Sequence, residues 1–330
     1  MGKGSERLQG YLLAGLGAAL FSMKAIIIKL AYGDNAVEVD AIILLGLRMA
    51  FALPVFLAIG YWLLRSRGAG AVMPKSPKLL AASCLVGMLG YYLAAYLDFV
   101  GLMFITAQLE RIVLFTYPLF VMVLGALFFG GTLTVWGIAA LLLCYSGISL
   151  VYFRGAISAG DNVAFGIVCV LSAAIVFALY QLLARSIISQ TGSLLFTCMA
   201  MSAAAAASLV HLSADLAFSD TAPALWEIPA RVYFMAAVLG IVATVLPAFM
   251  INAGLARIGA QASSRIHTIS PVVTIVLAIV ILDEPFTGLD AIGSGLVIAG
   301  VGLFTWKDSR RPVSPVSGSA VLNARTDGRP

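Results

Sequence analysis

The chain has 330 residues, of which 62% are hydrophobic and 11% charged, whereas soluble domains run at about 45–50% and 25%. That composition excludes a water-soluble fold. The formal net charge of +5 does not mark a nucleic-acid binder, because Lys and Arg collect on alternate loops between apolar runs and form no single basic face.

A bilayer core about 30 Å thick takes about 20 apolar residues per helix, and ten such runs follow one another. The first, near 10–31, starts after Lys3 and Arg7 and carries Lys24 and Lys29. Its cationic start resembles a signal peptide, but those two lysines follow with no convincing cleavage site, so it is read as a retained span. The second, near 41–64, holds Arg48. The third, near 79–98, gathers Tyr91, Tyr92 and Tyr96 and ends on Asp98, seven residues after Tyr91 and therefore on its face. The fourth, near 103–129, holds Glu110, Arg111, Tyr117 and Pro118. Runs near 133–153, 163–184, 193–212 and 231–251 follow, with Tyr180 in the sixth and Pro247 in the eighth.

The ninth run, near 261–282, opens Gln261-Ala-Ser-Ser-Arg-Ile-His-Thr-Ile-Ser-Pro271, and its Ser263, His267, Ser270 and Thr274 recur at helical spacing. The tenth spans 288–306, and the Ser- and Pro-containing stretch 307–330 reads as a disordered cytoplasmic tail. Cys84, Cys144, Cys169 and Cys198 all lie inside runs without pairing or metal-ligand spacing, so they read as small hydrophobes, and no metal or cofactor is expected.

With the N-terminus in the cytoplasm, thirteen of the twenty cations fall on that face, and Arg154 and Arg231 alone fall outside. The expectation is an inner-membrane protein with both termini cytoplasmic. Sliding the chain by 153 positions lays residues 95–153 on 248–306 without a gap. Gly101/Gly254, Gln108/Gln261, Pro118/Pro271 and Gly147/Gly300 then coincide, and composition bias does not supply matched Gly, Gln and Pro pairs at fixed spacing. Two halves of five spans each, 1–155 and 156–306, must enter the membrane in opposite senses. The expected fold is therefore all-α, ten transmembrane helices in two five-helix inverted-topology repeats, with a substrate site between the halves and alternating access between their mirrored gates.

The segment from Gly101 through Ala107-Gln108 to Tyr117-Pro118 and Gly147, with its counterpart through Gly254, Gln261, Ser270-Pro271, Asp283-Glu284-Pro285 and Gly300, resembles an EamA domain of the drug/metabolite transporter superfamily. The resemblance covers residues 10–306. It implies a transporter, and similar family members export amino acids and other small metabolites. The acidic residue that the family carries before the last span of each repeat appears as Glu284 but is replaced by Gly131 in the first half, so no paired role carries over.

A charge at a helix centre costs about 2.5–3.5 kcal/mol on insertion scales and so requires a partner, a wet cavity or a function. Lys24, Arg48, Glu110 and Arg111 share the outer half of the membrane by depth, and Glu110 reads as the only buried acid. Three accounts stay open for it: a structural salt bridge to Arg48, Lys24 or Arg111; one carboxylate shared by three cations, leaving positive potential for a substrate carboxylate; or a proton-coupling site. Lys29 is expected to snorkel or to meet Asp34. Arg265 and His267 form a second polar patch at mirrored depth. Tyr91, Tyr117 and Tyr180, the last aligned with Lys24 under a shift of 156, supply a binding wall; His267 and Ser270 line the inner route; Pro118, Pro247 and Pro271 mark kinks or gates. The substrate reads as a small carboxylate-bearing molecule such as an amino acid, moved across a lipid bilayer. A cationic-drug exporter of the same fold is the nearest alternative. A membrane enzyme lacks any HExxH or paired acidic motif here, and a channel fits the duplication less well.

Overall fold

An apolar run in a bilayer has to satisfy its backbone polar groups internally, and among the described residues helices do this. The computed structural model describes residues 3–33, 39–66, 76–130, 132–158, 162–219, 223–267 and 270–308, apart from the side chains of 3–5, 7, 153–158, 256, 259–267 and 306–308. The side chains of Arg265 and His267, together with Asp34, Gly131 and the segment 309–330, lie outside the described residues.

The first half comprises α1 (Lys3–Ser22), α2 (Lys24–Tyr32), α3 (Ala41–Ser66), α4 (Pro77–Met88), α5 (Ala94–Phe104), α6 (Ala107–Leu114), α7 (Tyr117–Phe128) and α8 (Val135–Ser158). The second comprises α9 (Val163–Thr191), α10 (Ser193–Phe218), α11 (Ala230–Gly240), α12 (Leu246–His267), α13 (Ser270–Leu282) and α14 (Gly288–Asp308). Among the described residues, nine helical stretches are long and apolar enough to cross a membrane, and Ser270–Leu282 is a shorter apolar tenth.

Several expected spans are interrupted or displaced, each for a local reason. The first run breaks at Met23, just after Ser22 turns its hydroxyl back onto the Ala18 carbonyl at 2.8 Å, a bond that competes with the helix ladder. The third run continues past Asp98 to Phe104, and the fourth starts only at Ala107, because Thr106 adopts an extended backbone and its hydroxyl accepts from the Leu109 N–H at 3.2 Å. That is helix N-capping. Pro118 stands in the first turn of α7, where its missing N–H is harmless. The eighth run ends at His267, well beyond 251, so α12 takes in residues assigned by sequence to the ninth.

Two π-helical turns interrupt the bundle, Leu89–Leu93 between α4 and α5 and Ile241–Val245 between α11 and α12. They occupy corresponding places in the two halves, and the packing repeats in the same way. A Cβ on Gly101 of α5 would strike Val170 and stand 2.9 Å from the Gly166 carbonyl of α9; one on Gly254 of α12 would strike Ala14 and stand 3.0 Å from the Gly10 carbonyl of α1. Positions 10 and 14 become 166 and 170 under the shift of 156. One close helix contact is thus made twice, with the halves exchanged. The α8–α14 contact is reciprocal as well, since a Cβ on Gly147 would stand 2.5 Å from the Gly293 carbonyl and one on Gly300 3.0 Å from the Ala140 carbonyl. One apolar core gathers α2, α3 and α11 around Ile28, Leu44 and Leu239, and another gathers α6, α8 and α14 around Ile112, Ala140 and Val297.

Candidate functional site

The break at Met23 frees the chain to open α2 on Lys24, inside the bundle. Lys24 is 6% exposed and Asp98, brought in by the extended α5, is 2% exposed; Lys24 Nζ lies 2.5 Å from Asp98 Oδ2. Burial makes this pair matter, since each charge has lost most of its contact with water. Arg48 of α3 donates through Nε to Thr244 Oγ1 at 2.9 Å and stacks its guanidinium over Phe99 at 5.4 Å. Thr244 is presented by the second π-helical turn and is fixed by its own bond to the Leu239 carbonyl, 2.8 Å away. Arg111 of α6 donates through Nε to Thr274 Oγ1 of α13 at 3.0 Å. Phe21 lies under both Lys24, at 5.8 Å, and Arg111, at 5.7 Å, a cation–π arrangement suited to a desolvated site.

A cavity of about 380 Å³ runs beside these charges. Its lining includes the charged Lys24, Arg48, Asp98 and Arg111, the aromatic Tyr91, Tyr117 and Phe177, and the polar Gln181, Thr197 and Asn252. Tyr180 adjoins the aromatic liners, donating its hydroxyl to that of Tyr91 at 2.8 Å and stacking with Phe177 at 5.4 Å. Tyr117 meets Phe177 edge-on at 5.2 Å. Ser270 does not border the cavity. It shares a 2.7 Å hydroxyl bond with Ser22 and so pins α13 to the break between α1 and α2. Pro271 follows it in the first turn of α13, and Pro247 sits in the first turn of α12.

Three expectations need correction. Glu110 is not the only buried acid: Asp98 is buried too, and Asp98, not Glu110, holds Lys24. Glu110, at 0% exposure, has both carboxylate oxygens without a hydrogen-bond partner, beside Asp98, Arg111 and Lys24. Lys29 reaches inward to the Leu102 carbonyl at 3.1 Å instead of snorkelling. Sequence reasoning also passed over Thr244, although it is the only polar residue between Gly240 and Asn252, and the Tyr92–His211 bond of 2.9 Å.

A bundle of membrane-length apolar helices around a buried, charged, small-molecule-sized cavity defines an integral membrane transporter. The chain belongs to the EamA-like transporter family, whose pattern matches residues 8–153 and again 164–306. It is 30% identical over 301 residues to the uncharacterized transporter YcbK of Bacillus subtilis (strain 168), covering 90% of this chain and 93% of that one. It is 27% identical over 226 residues to the uncharacterized transporter YyaM of the same organism, covering 66% and 70%. A protein of known crystal structure, 19% identical, superposes with a TM-score of 0.62 over 93% of this chain and 98% of its own, a likeness of fold.

Proposed function

We propose that the protein is a secondary transporter of the inner membrane that exports small carboxylate-bearing metabolites, amino acids foremost, by alternating access between two inverted repeats. The observation that carries the substrate class is the pair of buried guanidinium nitrogens, Arg48 Nη1 and Arg111 Nη2, that have no hydrogen-bond partner at the cavity. A buried charged donor without a partner is costly, and a carboxylate matches the guanidinium fork in charge and geometry. The cavity volume of about 380 Å³ lies near the small end of ligand pockets, and its aromatic wall suits an apolar side chain. Support for inverted repeats comes from the exchanged contacts of Gly101 and Gly254, and family likeness favours export.

Counterflow in proteoliposomes tests the reading: labelled amino acids, organic anions and cationic drugs are offered in turn. Saturable exchange of carboxylate compounds is expected, and Arg111→Gln and Arg48→Gln should each weaken it by roughly tenfold or more, the equivalent of one lost charge-assisted hydrogen bond. Exchange restricted to cationic drugs, or flux that never saturates, rejects it in favour of a multidrug carrier or a channel.

A further inference from the structure

Asn252 of α12 lines the cavity and is clamped from two sides. Its Oδ1 accepts from Ser193 Oγ, at the start of α10, at 2.6 Å, and its Nδ2 donates to the Ala248 carbonyl at 2.7 Å. Thr197, one turn further along α10, donates to the Ser193 carbonyl at 2.8 Å and also lines the cavity. Its neighbour Phe196 stacks on Tyr180 of α9 at 6.3 Å, and Gln181, the residue after Tyr180, is a third polar liner. The distance from this group to the guanidinium groups follows from the helix itself. Thr244, which holds Arg48, precedes Asn252 by eight residues within the helical stretch Ala230–Leu255, and eight residues rise about 12 Å. The Asn252 amide turns back toward Thr244 to reach Ala248, so the gap open to a ligand is shorter, roughly two extended residues. An asparagine amide has two N–H donors and an oxygen with two lone pairs. One of each is taken by Ala248 and Ser193, which leaves one donor and one acceptor. Another amide, with its own C=O and N–H, is their complement. The charged residues lining the cavity are Lys24, Arg48, Asp98 and Arg111, gathered by their bonds and contacts about Thr244 and Phe21. A charged group beside Asn252 would therefore be buried two turns from a counter-charge, which is costly, whereas a hydrogen-bonded neutral group is not.

We propose that Asn252, with Thr197 and Gln181 beside it, is an amide-binding subsite, and that the preferred substrate is a carboxylate compound carrying a neutral amide roughly two extended residues from its carboxylate, an inference that rests on the carboxylate reading above and narrows it. Two sources supply that chemistry: the acylated side chain of a lysine-like amino acid, and the far peptide bond of a tripeptide. In either case the carboxylate falls to Arg48 Nη1 and Arg111 Nη2, and the apolar stem runs past Tyr91 and Phe177. The amide then gives its N–H to Asn252 Oδ1 and accepts from Nδ2. Ser193 touches no substrate in this arrangement; it is a positioning residue that keeps the Asn252 amide turned to the cavity.

The test uses the full chain in proteoliposomes and measures the half-saturation of self-exchange for three labelled compounds: Nε-acetyl-L-lysine, tri-L-alanine, and L-norleucine, which has a lysine-like stem and no amide. At least one of the two amide compounds is expected to half-saturate at roughly tenfold lower concentration than norleucine, the gain from one or two neutral hydrogen bonds, and whichever does so identifies the source of the amide. Asn252→Leu should bring that ratio close to one, and Ser193→Ala, which unclamps the amide, should lower it partway. Equal half-saturation by all three compounds in the wild type overturns the amide subsite whether or not the variants fold, and spares the carboxylate reading. So does a ratio that Asn252→Leu leaves unchanged. Absence of exchange with all three compounds, together with saturable exchange of cationic drugs, overturns both.

Discussion

Lys24 and Asp98 meet almost wholly buried, at 6% and 2% exposure, so each charge leans on the other. Removing one partner of a buried pair costs about 3–5 kcal/mol, whereas removing both charges costs much less. Lys24→Gln and Asp98→Asn should each lower the thermal midpoint of the detergent-solubilised protein sharply, and the double variant should recover part of the loss, with a coupling of about 0.5–3 kcal/mol. Strict additivity would show that the 2.5 Å approach is energetically idle. The cations of this site were legible because Lys24, Arg48 and Arg111 interrupt apolar runs, where a charge requires an explanation. Asp98 was not, for a reason of length: a span ending at 98 leaves it at the interface, and only the continuation of α5 to Phe104 carries it into the membrane. The consequence was a wrong partner for Lys24 and a site that looked one negative charge poorer than it is.

At the scale of the element, the boundary between α5 and α6 is held from across the molecule. Glu284, after α13, accepts from the N–H of Ala107 at 2.7 Å and from that of Gln108 at 3.2 Å. It thereby satisfies two otherwise orphaned donors at a helix N-terminus and opposes the positive end of the helix dipole. The carboxylate belongs to the second half and the helix to the first, so the cap is also a clasp between halves. Its counterpart position in the first half is Gly131, which has no side chain to accept a bond. Loss of a cap costs about 0.5–2 kcal/mol, enough to change an opening equilibrium roughly 2- to 30-fold. In a background freed of native cysteines, a thiol at Ile105, 3% exposed beside the clasp, should therefore react several-fold faster in Glu284→Ala than with Glu284 intact. Equal rates would mean that the clasp does not hold this end shut. Thr106 was a readable signal, a hydroxyl residue before a helical pattern, but no residue near 106 announces Glu284. That partner is chosen by the return of the chain through the second half. The π-helical turns are equally silent in composition.

The whole molecule repeats its contacts as well as its sequence. The identities at a shift of 153 foretold that two halves exist; the glycines show how they join, Gly10 with Gly254 and Gly166 with Gly101, which a pattern of single residues cannot announce because both surfaces are equally apolar. If every span crosses the bilayer in turn, Ser66, at the end of α3, and Trp226, between α10 and α11, lie on opposite faces, and both are exposed. The loop cations decide which face is which. In the sequence, Arg65, Arg67, Lys75 and Lys78 fall in and beside the loop after Ser66, whereas Asp215, Asp220 and Glu227 fall in and beside the loop that holds Trp226, with Arg231 as its cation, and short loops rich in Lys and Arg remain in the cytoplasm. A membrane-impermeant thiol reagent should therefore label Trp226→Cys in intact cells and Ser66→Cys only after permeabilisation. Labelling of Ser66→Cys from outside, with Trp226→Cys protected, reverses the orientation. Labelling of both from the same side would break the alternation of passes, and no pair of five-helix units could then be mirrored across the membrane.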